Sequence, residues 1–278
     1  TSRLSSAASD VYKRQIHQSG GWAINGRGSR SEHLEAGRLL QQTLAPGGGI
    51  DDLRETSPDR LLSAVSEVYD GHFFDPVVDG HSLIEPVADT FARGNFAAVD
   101  MLIGSNRDEW LMYLEEGATV QEWLRENVAP QRGVEVLAQL PPAAGELQRL
   151  DRLITATEYV CPSMRLAEAV RRRGGRSWFY LFNRQREGEQ AATMGAYHGA
   201  ELPYVFDTHD DWLPTAESDR ELTGVIMDAW VSFARSGDPG QGWPAFDLAS
   251  RQSMLLDSEL SRGRHRDTDL CRLLDELR

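Results

Sequence analysis

Lysine is almost missing from this chain of 278 residues: Lys13 is the only one among 29 basic residues, and all the others are arginine. Cysteine is nearly as scarce. Cys161 and Cys271 are too few for a disulfide framework and lack the paired spacing of a metal site. A reduced, cytoplasmic chain is the simplest reading of that scarcity. No apolar run approaches the roughly 18 residues that a membrane-spanning helix needs. Positive charge is in deficit, with 43 acidic residues and a formal net charge of −14. That balance argues against a nucleic-acid partner and against docking on anionic lipid, both of which call for basic surfaces. No residue pattern implies a cofactor or a metal ion. What remains is ordinary globular composition, 40% hydrophobic and 26% charged, enough for one large domain or two ordinary ones.

The lone lysine sits in a segment that differs from the rest. Elsewhere the chain is rich in Arg, Ala, Gly, Leu and Asp, as a GC-rich genome would encode. Residues 5–15 read SSAASDVYKRQ. Back-translated, they resemble the in-frame translation of a transposase-type sequencing-library adapter with its mosaic end. Residues 1–15 are therefore expected to be non-native and to pack poorly, and they are set aside from fold reasoning. The natural sequence is expected to begin near Ile16.

From there the pattern alternates between helical and extended stretches. IHQSGG at 16–21 reads as a strand end running into a turn. Leu34, Leu39, Leu40 and Leu44 recur at helical spacing and predict a helix over 32–44, stopped by Pro46 and three glycines. Residues 50–66 predict further helix broken at Ser57-Pro58. FFDPVVDG at 73–80 is extended and turn-rich. AAVDMLIG at 97–104 reads as a buried strand, and 120–127 and 134–140 as short helices. Residues 147–169 form a long helical stretch interrupted near Pro162. SWFYLFN at 177–183 is an aromatic-rich strand, 220–236 a helix, and 253–257 a short strand. Strands separated by long helical stretches indicate an α/β layered architecture.

Several segments then fall into one succession. PVVDG at 76–80 is followed by LIGSNRDEW at 102–110, SWFYLFN, GAYHGAELPYVF at 195–206, and WVSFARSGDPG at 230–240 with WPAF at 243–246. Their order and spacing over roughly 16–258 resemble the C-terminal half of the type B carboxylesterases, the family of the cholinesterases and the bacterial para-nitrobenzyl-type esterases. The resemblance implies a truncated α/β-hydrolase, the C-terminal flank of the sheet with its helices, over residues 16–278. It also implies a Ser-Glu-His triad acting on a small-molecule carboxylic ester. The family's G-x-N-x-x-E loop maps onto Gly104, Asn106 and Glu109, making Glu109 the candidate acid and Asn106 a supporting residue. Its histidine block maps onto His198 as candidate base, with Glu201 supporting the loop. The order acid then histidine agrees with α/β-hydrolases.

The chemistry asks for these residue types independently of the name. A serine hydroxyl attacks only when a base takes its proton, imidazole does so near neutral pH, and a buried carboxylate fixes the tautomer and stabilises the imidazolium. Other candidates read differently. Asp108 is expected to face solvent or cap a turn. His17, His72, His81, His209 and His265 are expected on the surface or in loops. Arg171–Arg173 with Arg176 read as a solvated helix end, and Gly47–Gly49 as a loop. Trp110, Phe73 and Phe74 are candidates to line a gorge, with core packing the alternative for the two phenylalanines.

The nucleophile elbow G-x-S-x-G is absent: Ser19 follows His17-Gln18, Ser29 has Arg27 two residues before it, and Ser105 has Ile103 there. In the family QSG follows shortly after the nucleophile helix, so the serine is expected upstream of these residues and the chain is expected to be inactive alone. The alternative is a non-catalytic binding or adhesion protein of the cholinesterase-like type.

Overall fold

The structure is a computed structural model that describes residues 13–26, 29–69, 76–240 and 242–277. Among the described residues two compact units are present, one within Ala23–Thr90, the other built from residues 13–22 together with residues 91–277.

The Ala23–Thr90 unit is helical. Its helices span Arg30–Leu44, Ile50–Arg54 and Pro58–Val68, matching the expected helices and the break at Ser57-Pro58. Ser29 and Glu32 close a reciprocal capping box on the first, which satisfies two N–H groups that a helix start leaves unpaired. Gly47–Gly49 lie in the connection that follows. Phe73 and Phe74 fall outside the described residues.

The larger unit is a five-stranded sheet with helices. Its strands are β1 (Arg14–Gln18), β2 (Asp100–Asn106), β3 (Ser177–Phe182), β4 (Gln252–Leu256) and β5 (Ser261–Arg264), and they lie side by side in chain order. β1 to β4 run parallel and β5 pairs antiparallel. Every residue of β3 and all of β2 after Asp100 are buried, as expected for parallel strands covered on both faces. The core gathers Leu102, Trp178, Tyr180, Phe182, Tyr204, Trp230, Phe233 and Leu256. In register, Gly104 faces Tyr180, and a side chain at 104 would meet the Tyr180 ring and carbonyl at about 2.4 Å. Glycine is needed there so that the tyrosine can lie across the sheet.

Three readings from the sequence need correction. The strand expected at 97–104 runs over Asp100–Asn106, because Asp100 pairs with Arg176 at the sheet end and the apolar run misses the polar Ser105-Asn106 continuation. The long helical stretch breaks earlier than Pro162: helix Glu146–Thr155 passes through a π-helical turn, Ala156–Val160, before helix Cys161–Arg172 resumes. Pro162 is tolerated because it sits in the first turn of that last helix. Strand β5 and the helix Thr268–Glu276 lie past the last predicted strand.

The segment set aside as non-native reaches into the sheet. Residues 1–12, with Val11 and Tyr12, lie outside the described residues. The Lys13 carbonyl accepts the Asp100 N–H at 2.9 Å, and Arg14 and Gln15 pair in register with Asp100 and Met101. These are backbone bonds, which a strand of almost any sequence can make. Gln15 itself is exposed.

The cysteines correct the sequence reading more sharply. Cys161 and Cys271 are both buried and form a disulfide across a sequence separation of 110, joining the start of helix Cys161–Arg172 to helix Thr268–Glu276. Two cysteines make no framework, but the tertiary fold brings this pair together, which spacing could not reveal, and the ground for a reduced chain is removed. Closing so long a loop restricts the unfolded ensemble. Replacing both cysteines by alanine should lower the urea stability of this unit by about 2–4 kcal/mol, read as a shifted unfolding midpoint, with dithiothreitol doing the same to the unmodified chain and leaving the variant unaffected.

Candidate active site

Parallel strands deliver their following loops to one edge of the sheet, and the site forms there. β2 ends at Asn106, so Glu109 stands three residues past the strand. The segment after β3 carries His198, and β1 ends at Gln18 just before Ser19.

Glu109 is fully buried. Its Oε2 meets His198 Nδ1 at 2.6 Å, and its Oε1 accepts the Asn106 N–H at 2.6 Å and the Ser19 hydroxyl at 2.5 Å. Burial pushes the Glu109 carboxyl above its ordinary value, and these three donors oppose the rise. His198 is held above its usual range, chiefly by the hydrogen bond to Glu109, with partial burial opposing. Its side chain is 41% exposed. Among the described residues Nε2 has no hydrogen-bond partner. Nδ1 is thus committed to the acid, while the imidazole keeps an open edge.

Asn106 and Glu201 lock the two loops together. Asn106 Nδ2 donates to the Tyr197 carbonyl at 2.7 Å and to Glu201 Oε2 at 2.6 Å. Glu201 Oε1 accepts from Gln18 Nε2 at 2.9 Å, and Trp230 Nε1 donates to Gln18 Oε1 at 3.1 Å. A chain of polar contacts therefore runs from helix Glu217–Ser236 through the end of β1 to the histidine loop. Glu201 is buried, a position that carboxylates rarely occupy without partners.

Asp108 does not face solvent. It is 9% exposed; its Oδ2 accepts the Ala196 N–H at 2.7 Å and pairs with Arg107 at 2.6 Å. Its own N–H donates to the Ala196 carbonyl. The neighbouring Gly195 has φ +67°, and a side chain there would reach to about 2.1 Å of the Asp108 carboxylate. A local reading of the sequence could not anticipate this, because the partner lies 88 residues away.

The other candidates sort as follows. His81 is exposed, His17 and His209 are half-buried, and His72 lies outside the described residues. His265 is not a surface residue. It is 2% exposed, stands edge-on to Phe179, and accepts the Asp267 N–H through Nδ1. Burial pushes its imidazole down to about 4, so it is a neutral core residue. Trp110 packs against Tyr113 and Tyr159, and Tyr159 in turn lies 5.6 Å from the His198 ring.

Ser19 is the site residue that sequence reasoning missed. The motif test for a nucleophile excludes it, and that test does not ask for a donor to the acid. The usable signal was its place, a polar residue directly after a strand end and before two glycines. Its backbone sits at φ +53°, unusual for a residue other than glycine, and this presents the hydroxyl to Glu109.

The chain is similar to several known proteins. Residues 138–272 match the model of the carboxylesterase family. Para-nitrobenzyl esterase of Bacillus subtilis (strain 168) is 26% identical over 275 residues, covering 92% of this chain and 55% of that protein. Over residues 138–272 the chain is similar to the carboxylesterase family. Acetylcholinesterase 1 of Caenorhabditis briggsae is 25% identical, over 67% of this chain and 37% of that protein, and neuroligin-2 of Rattus norvegicus is 27% identical, over 87% and 33%. Among solved structures a PNB esterase superposes with a TM-score of 0.77 at 23% identity, covering 96% of this chain and 59% of that one. The Geobacillus stearothermophilus carboxylesterase EST55 superposes with a TM-score of 0.78 at 22% identity. The fold is that of the α/β-hydrolases, and the chain spans between 33% and 55% of the length of these curated relatives.

The pair predicts its own titration. Glu109→Gln removes the main cause of the raised His198 value, so the His198 midpoint, followed by NMR of its ring protons, should fall toward the ordinary imidazole value. The sign for stability follows. Because the folded His198 value is raised, its contribution is fully present below the ordinary imidazole value and is lost as pH rises through the folded one. The variant should lack that pH-dependent part.

Proposed function

We propose that Glu109 and His198 are the acid and base of a serine carboxylic ester hydrolase. The observation that supports this reading is the 2.6 Å contact between a fully buried carboxylate and one nitrogen of an imidazole whose ring is otherwise accessible.

In this reading a serine hydroxyl gives its proton to His198 Nε2 as it attacks the ester carbonyl. Glu109 holds the tautomer in which Nε2 is the free base and stabilises the imidazolium that forms. His198 then returns the proton to the leaving alcohol, and a water molecule repeats the sequence on the acyl-enzyme. Asn106 and Glu201 keep the histidine loop in register with the acid loop. The serine is not among these 278 residues: no G-x-S-x-G occurs, and Ser19 is engaged with Glu109. We infer that the attacking group belongs to the part of the family domain this chain does not span. The substrate class is a small-molecule carboxylic ester.

A binding role is the second reading. The match to neuroligin-2, whose name is not that of an esterase, gives it standing. The acid–histidine contact favours the first, since binding alone does not call for it.

The chain alone should not turn over a nitrophenyl acyl ester, and burst kinetics from it would overturn the assignment of the serine elsewhere. Joined to a family N-terminal half that carries G-x-S-x-G, it should hydrolyse the ester. Glu109→Gln or His198→Ala should then lower kcat by roughly 10³–10⁴-fold. A joined protein that folds, binds ester and never reacts would support the binding role.

A further inference from the structure

Asp151 lies in the last turns of helix Glu146–Thr155 and is 1% exposed. Among the described residues it has no ion-pair partner. Its Oδ1 accepts the Trp110 backbone N–H at 2.9 Å and the Thr155 hydroxyl at 3.1 Å. A buried carboxylate without a counter-charge is costly, and a neutral side chain would cap one N–H at less cost. The N–H it holds belongs to the residue directly after Glu109. The same segment continues into the π-helical turn Ala156–Val160, whose Tyr159 ring lies beside His198. One stretch of chain thus touches the acid loop at one end and the imidazole at the other.

We infer that Asp151 is a positioning residue for the Glu109–His198 pair, fixing the acid loop through the Trp110 N–H. The role rests on the reading of that pair as acid and base. It is complementary to that of Asp108, which ties the opposite side of Glu109 to Ala196. The acid is suspended between two carboxylates, one joined to the histidine loop and one to the helix. Several charged groups act on Asp151. Burial and the Asp108 charge push its carboxyl up, to about 7, while Arg266 and the donors at Trp110 and Thr155 oppose them. Arg107 offsets the Asp108 charge through its ion pair.

The test is a titration of the full chain by NMR, independent of ester hydrolysis. In the unmodified protein the Trp110 amide proton and the Asp151 carboxyl carbon should move together, with one midpoint near 7. An amide that ignores the carboxyl titration overturns the inference, and this measurement needs no variant to fold. Asp151→Ala should lower the His198 midpoint by about half a unit or more, in the direction of Glu109→Gln. Asp151→Asn keeps an acceptor for Trp110 and should leave His198 near its unmodified value. A His198 midpoint unchanged in Asp151→Ala, or lowered as far in Asp151→Asn, overturns the role. Should Glu109→Gln leave His198 unmoved, the acid–base reading fails, and the Trp110 amide still decides whether Asp151 holds the loop.

Discussion

The structure of the site depends on keeping one carboxylate, Glu109, out of water. Burial alone would drive it to take up a proton. Three donors from three segments restrain that: the Ser19 hydroxyl after β1, the Asn106 N–H at the end of β2, and His198 from the segment after β3. Each donor is placed by a strand or by a loop pinned to one. The sheet register therefore acts on the chemistry directly. A slip of β1 against β2 by one residue would turn Ser19 away and leave Oε1 with the Asn106 N–H alone, a loss of the net worth of one hydrogen bond, about 0.5–1.5 kcal/mol.

Around this centre the polar groups form a layer between the sheet and the surface loops. Glu201, Asn106 and Gln18 share hydrogen bonds, and Asp108 and Arg107 form an ion pair beside them. Below it the strands β2 and β3 are apolar and closed, with Tyr180 laid across Gly104. Such a division gives the site rigidity. The layer's polar side chains exchange hydrogen bonds with one another across the loops, and the core beneath gives those loops little freedom to shift.

Sequence pattern revealed the elements and the two central residues because both leave local marks. Helix Val120–Asn127 announces itself by spacing, and β3 by its aromatic run. Glu109 and His198 were legible only through their family blocks, since a glutamate after a strand is otherwise unremarkable. What could not be read were relations across the chain. Cys161 and Cys271 are 110 residues apart, and Asp108 meets a backbone N–H 88 residues on. His265 carries no flanking signal that it sits beneath Phe179. The π-helical turn also left no trace, because no local pattern in Ala156–Val160 marks where one extra residue enters a helix. Ser19 lies 90 residues from the carboxylate it serves, so its role as a donor carries no local mark.

The long separations have a kinetic side. The contacts that make the site span 89 residues from Glu109 to His198, 90 from Ser19 to Glu109 and 95 from Asn106 to Glu201. Parallel pairing offers no short hairpin through which to reach them, so each crossover must close its loop before any of these bonds can form. Topology of this kind folds slowly. The imidazole and its acid can therefore meet only once the crossover between them has closed, so their hydrogen bond reports a long-range pairing and no local structure.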